Sequence, residues 1–173
     1  MAFDIQSAML AVIHIFVAAV VSLFAVYCGM SIYMAKTKSI NEWKEIAKKN
    51  TAIGIMLGSV IIAVAIVTGP AVSASLAMFD TLYLPALAVR FFVAIINAVA
   101  AAVIAAFSVY LSTRMIDKLT MEIDEVDELK KGNVAVAAYM GAAIIAMALL
   151  ISPAVGTIIS AVDLFSYVKS LGF

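Results

Sequence analysis

Four stretches of this 173-residue chain, residues 5–35, 51–79, 86–113 and 134–162, are apolar and almost free of charge. Each exceeds the roughly 20 residues with which an α-helix crosses a hydrocarbon layer about 30 Å thick. No water reaches the backbone in lipid, so an open chain satisfies its N–H and C=O groups there only as helix. The rest of the composition agrees: 66% of residues are hydrophobic and 13% charged, too little polar surface to cover a water-soluble domain. The chain reads as all-α and integral to a membrane, with transmembrane helices expected over 5–35, 50–79, 84–116 and 133–168. Ahead of the first run, MAFDIQSAM carries no basic n-region, so that run is expected to be retained rather than cleaved as a signal.

The second constraint is internal. Residues 40–72 and 123–155 align without a gap at an offset of 83, with identities at Ile40/Ile123, Glu42/Glu125, Glu45/Glu128, Lys48/Lys131, Asn50/Asn133, Gly58/Gly141 and Pro70/Pro153. At the same offset Phe24 meets Phe107, Tyr27 meets Tyr110, His14 meets Asn97 and Asp80 meets Asp163. The chain is therefore expected to be one membrane domain, 1–173, made of two tandem two-helix repeats over 10–82 and 93–165. Each repeat holds an even number of spans, so both enter the bilayer in the same direction. A pseudo-two-fold along the membrane normal is expected to relate them.

Lys36, Lys38, Lys44, Lys48 and Lys49 follow the first span, and Arg114, Lys118, Lys130 and Lys131 follow the third; only Arg90 and Lys169 lie elsewhere. The positive-inside rule puts both links in the cytoplasm and both termini outside an inner or plasma membrane. Within the links, Ile40, Trp43 and Ala47, and then Ile123, Val126 and Leu129, recur at helical spacing, while Glu42, Lys44, Glu45 and Lys48 face elsewhere. Short interfacial helices are expected, with Trp43 at headgroup depth. The first link has five basic and two acidic residues and the second four and six, a difference of +3 against −2 that would let the links attract each other.

The repeat-paired polar residues are the candidate functional positions. Asn50 and Asn133 stand where link becomes helix, as N-caps or as a lining at the cytoplasmic mouth. His14 and Asn97 lie deep in their spans, where polar groups face protein or a wet cavity. Gly54 and Gly58, matched by Ala137 and Gly141, give small-residue faces for close helix packing. Pro70 and Pro153 are expected to kink or break their helices near the outer boundary. Arg90 is expected to pair with Asp80 or Asp163 at the outer face. Cys28 is solitary and forms no intrachain disulfide. No HExxH, GxSxG, CxxC or phosphate-binding glycine loop is present, so neither an enzyme nor a bound cofactor or metal is expected, and no nucleic-acid partner.

The segments Asn41-Glu42-Trp43, Lys49-Asn50-Thr51-Ala52 and Gly132-Asn133-Val134-Ala135 resemble the membrane family called domain of unknown function 350, which includes the YjfL-like inner-membrane proteins. The resemblance implies paired two-span repeats and an integral membrane protein of unassigned activity, with no catalytic residues to carry over. Two functions are compatible with the residues. One is a homo-oligomeric, channel or transporter-like assembly for ions or small solutes. The other is a scaffold or assembly subunit that packs through small-residue faces and docks a cytosolic or membrane partner on its charged links.

Overall fold

The computed structural model describes residues 5–36, 41–77, 84–120 and 124–161. Six helices follow in order: α1 (Ile5–Lys36), α2 (Glu42–Ala47), α3 (Thr51–Ala77), α4 (Leu84–Leu119), α5 (Glu125–Lys130) and α6 (Val134–Ala161). The four long ones are apolar and long enough to cross a membrane. α6 is described to Ala161, short of the span to 168 expected from sequence; residues 162–173, Asp163 among them, lie outside the described residues, as does Asp80.

α3 and α4 form the centre and α1 and α6 flank them. Within an 18-residue apolar stretch of each long helix, half of the α3 residues and 56% of the α4 residues are buried in protein, against 17% for α1 and 28% for α6. α3 packs on each of the other three long helices and most extensively on α6, while α1 packs on α3 and α4 but hardly on α6. The core between them is Met56, Val60, Val64, Val67, Ala101, Ala105, Ile144 and Ala148, with a second cluster of Val17, Val21, Ala94 and Ala98 between α1 and α4. Glycine permits two close approaches: a Cβ on Gly29 would fall 2.7 Å from Val64, and one on Gly141 would fall 2.9 Å from the Ser59 Cβ.

This arrangement departs from the expected pseudo-two-fold. A two-fold buries the same positions in both repeats, and here repeat mates bury opposite faces. The inward residues of α3 include Ala52, Met56, Val60, Ala63 and Val67, whose mates in α6, Ala135, Tyr139, Ala143, Ala146 and Leu150, are half-buried or exposed; Leu57 and its mate Met140 are buried in both copies. In α6 the inward residues are Ala137, Gly141, Ile144 and Ala148; their mates Gly54, Gly58, Ile61 and Ala65 face outward or are half-buried. In the α1/α4 pair Ala94 and Ala98 are buried where their mates Ala11 and Ile15 are exposed, while Ala25/Ser108 and Gly29/Ser112 are buried in both copies. Burial of this kind results when one repeat is set beside the other by a sideways step, so that the front of one meets the back of the next.

The helix breaks expected at Pro70 and Pro153 do not occur. α3 continues through Pro70 to Ala77 and α6 through Pro153 to Ala161. Proline's fixed φ suits a helix; its cost is the missing N–H, which frees the carbonyl four residues back, and a ring that crowds it. For Pro70 that carbonyl belongs to Ile66, and the Ser152 hydroxyl of α6 donates to it at 2.9 Å. A neighbouring side chain thus replaces the lost bond, as membrane helices allow.

Candidate functional site

The best-defined polar structure is at the link end, and the duplicated sequence builds it twice with the same atoms. Asn41 caps α2 by accepting from Lys44 N at 3.0 Å, and its mate Asp124 caps α5 by accepting from Asp127 N at 2.9 Å. Each short helix then closes in a Schellman turn: Asn50 N donates to Glu45 O and Asn133 N to Glu128 O, both at 3.0 Å. The turn needs a left-handed residue, which is Lys49 (φ 66°) in the first copy and Gly132 (φ 84°) in the second.

Asn50 and Asn133 are N-caps. Asn50 Oδ1 accepts from Ile53 N at 3.3 Å, and Asn133 Oδ1 accepts from Ala135 N at 3.1 Å and Val136 N at 3.3 Å. Their amide groups reach back to the short helices, Asn133 to Glu128 at 2.7 Å and Asn50 to Glu45 at 3.4 Å. Lys48 pairs with Glu45 at 2.7 Å, and Lys131 with Glu128 at 3.1 Å and Asp127 at 2.7 Å. Among the described link residues, the side chain of Asn50 crosses to the other link, donating to Leu129 O at 2.9 Å and Lys130 O at 3.3 Å, which places both links at one end of the bundle.

The charges titrate accordingly. Hydrogen bonds from Lys48 and then Asn50 hold Glu45 below its ordinary 4.5, with Lys130 of the other repeat adding a weaker pull. Bonds from Asn133 and then Lys131 do the same for Glu128. Lys131, bonded to Asp127 and Glu128, is pushed up to about 12. Depressed carboxylates stabilise the links above pH 4.5 and lose that contribution as pH falls through their folded values; raised Lys131 stabilises below 10.5 and loses it as pH rises through about 12.

Glu42 and its mate Glu125, the first residues of α2 and α5, are buried rather than on a solvated face. Glu125 keeps one carboxylate oxygen without a hydrogen-bond partner. Their identity at the repeat offset was the available sequence signal. Of the expected interfacial stripes, Trp43 and Ala47 are exposed and Leu129 is buried; Ile40 and Ile123 lie outside the described residues.

Beside this end lies a half-open cavity of about 580 Å³. Val103, Phe107, Tyr110, Arg114 and Asp117 line it along α4, opposite Met56 of α3, Leu129 of α5 and Met140 of α6, with Tyr33 of α1 also in the wall. None of the four paired polar candidates, His14, Asn97, Asn50 and Asn133, is in that lining. Asn97 is buried and His14 half-buried, each on its own span. A Cβ on Gly54 or Gly58 would meet no atom of the described residues within 4 Å, whereas Ala137 and Gly141 are packed. Arg90 is half-buried on α4, and both aspartates proposed as its partners lie outside the described residues.

The family model described as Domain of Unknown Function (DUF350) matches the chain twice, over residues 7–96 and 90–173, with starts 83 residues apart (90 − 7), the offset of the sequence repeat. No curated protein and no solved structure matches it.

Proposed function

We propose that this chain, a multi-pass membrane protein that belongs to the DUF350 family, is the subunit of a homo-oligomeric membrane assembly in which copies join head to tail. The observation that carries this reading is the opposite burial of repeat mates. Inside one chain, the front of repeat one (Met56, Val60, Val67) meets the back of repeat two (Gly141, Ile144, Ala148). The chain therefore ends, laterally, in an unused back (Ile15, Gly54, Gly58, Ile61, Ala65) and an unused front (Ala135, Tyr139, Ala146, Leu150). These are the same two faces, repeated. A second copy supplies each with its partner, and a head-to-tail contact closes as a ring or runs on as an array.

Exposed apolar residues are content in lipid, so exposure alone argues nothing. The specific support is that Gly54 and Gly58 keep the small side of a close-packed helix pair where a Cβ would meet no atom of the described residues within 4 Å. In this scheme both links face the cytoplasm, α2 and α5 lie in the interface with Trp43 among headgroups, and the charged links are available to a partner protein. We assign the subunit no catalytic chemistry. His14, the half-buried mate of buried Asn97, would enter the contact between copies, and an ion or solute pathway through the assembly would form there.

Native mass spectrometry of the protein in nanodiscs tests the reading. It predicts multiples of the 18.3 kDa chain that dissociate in the Gly58→Leu variant. A monomer at every protein-to-lipid ratio overturns it.

A further inference from the structure

The cavity beside the links has a polarity gradient that the assembly reading does not use. Its lining along α4 runs from Val103 to Asp117, 14 residues or about 21 Å of helix, at positions that share one face. The first part is apolar (Val103, Ala106, Phe107), and Met56 and Met140 add apolar side chains to the same wall. The last part, at the link end, carries Thr113, Arg114 and Asp117. A groove that begins at the charged end of a transmembrane helix and deepens into its apolar middle has the polarity of a lipid molecule in the bilayer.

The charged end is ordered for a ligand. Arg114 Nε donates to the Tyr110 hydroxyl at 3.1 Å, and the guanidinium carbon lies 5.4 Å from that ring's centroid. Held this way, the guanidinium keeps both terminal nitrogens for an acceptor, the fork that suits a phosphate. Asp117 stands one turn further and forms no ion pair within 4 Å of it among the described residues. A cation and an anion one turn apart give a mouth with no net charge and a separated pair of poles. A zwitterionic headgroup complements it, its phosphate on Arg114 and its ammonium on Asp117.

The repeat provides an internal contrast. The mates of Arg114, Asp117 and Val126 are Ser31, Met34 and Trp43, so the corresponding place in repeat one has neither charge and a larger side chain from the short helix. We infer that repeat two holds a phospholipid site selective for an amine-bearing zwitterionic headgroup, with an acyl chain lying along Val103 and Phe107.

The test is native mass spectrometry of the full chain in detergent, titrated separately with phosphatidylethanolamine and phosphatidylglycerol. The wild type is expected to retain phosphatidylethanolamine in preference. Arg114→Gln should weaken retention of both lipids by about tenfold, the loss of a charge-assisted bond. Asp117→Asn should abolish only the preference. Val103→Trp, which fills the apolar end and leaves the charges untouched, should block binding, and Ser31→Ala should leave it unchanged. Equal retention of the two lipids by the wild type, or unaltered retention in Arg114→Gln and Val103→Trp, overturns the site. Oligomer mass is read in the same spectra, so failure of the lipid site and failure of the assembly are separately visible.

Discussion

At the link end the two repeats put the same atoms into the same bonds: Glu45, Lys48 and Asn50 in one, Glu128, Lys131 and Asn133 in the other. Further along the spans most repeat mates differ in burial. Met56 is 2% exposed and its mate Tyr139 50%; Val67 is 1% exposed and its mate Leu150 76%. Local hydrogen bonding is fixed by residues within five positions of each other, so identical sequence gives identical structure. Helix faces carry no such local instruction. Which side is buried depends on what lies next door, and each repeat has its neighbour on a different side.

The sharpest way to break that contrast is to enlarge one mate at a time. Gly141→Leu puts a side chain into Ser59 within the chain and should destabilise the monomer by about 3 kcal/mol, seen as a lower Tm in detergent. At Gly58 a Cβ meets no described atom within 4 Å, so Gly58→Leu should change monomer stability by less than about 0.5 kcal/mol, its effect falling on oligomer mass instead. Equal losses of Tm would mean that the faces are equivalent after all.

The link asparagines come next in size. Asn50→Ala removes a cap and the only described side-chain hydrogen bonds from one link to the other, so a loss of about 2 kcal/mol is expected. Asn133→Ala removes a cap and a bond within its own link and should cost about 1 kcal/mol. Chemical unfolding in mixed micelles ranks the two; a larger effect at Asn133 would contradict the tethering role of Asn50.

Smaller again is the bond that relieves Pro70. Ser152→Ala should cost about 1 kcal/mol, and much less in a Pro70→Ala background, where Ile66 regains its own helical donor. The mate of Ser152 is Gly69, which has no hydroxyl to offer the Leu149 carbonyl freed by Pro153. Under head-to-tail assembly those two groups belong to adjacent copies, so Gly69→Ser should raise oligomer stability and leave the monomer unchanged. The smallest expected effect is at the left-handed turn residues. Lys49→Gly should stabilise by about 0.5–1 kcal/mol, since its mate Gly132 already has the residue that this φ favours.

The sequence made some of this legible and hid the rest for physical reasons. Four spans follow from apolar length alone, and the caps at Asn50 and Asn133 from residue type and place. Glu42 and Glu125 are marked by their identity at the repeat offset, but charge pattern places them on a wet face when their burial depends on tertiary packing. The prolines suggested breaks, but both helices run through them, and at Pro70 the freed Ile66 carbonyl takes its donor from Ser152, 86 residues further along the chain, a partner that local sequence does not reveal. The two-fold expectation failed because Gly54, Gly58 and Gly141 look alike in sequence, and only the neighbour decides which is buried. The groove was hidden for a similar reason: Arg114 and Asp117 read as link charges until α3, α5 and α6 close around α4.

The central claim is that the contact between repeats is repeated between copies, and cysteine cross-linking tests it most directly. Within the chain Gly141 lies against Ser59; subtracting and adding the offset of 83 maps that contact to Gly58 of one copy and Ala142 of the next. In a Cys28→Ser background, a chain carrying both Gly58→Cys and Ala142→Cys should oxidise in membranes to a ladder of dimers, trimers and higher species. Each single variant should remain monomeric. Dimers from a single variant would indicate a two-fold contact, and a double variant that stays monomeric would contradict head-to-tail assembly outright.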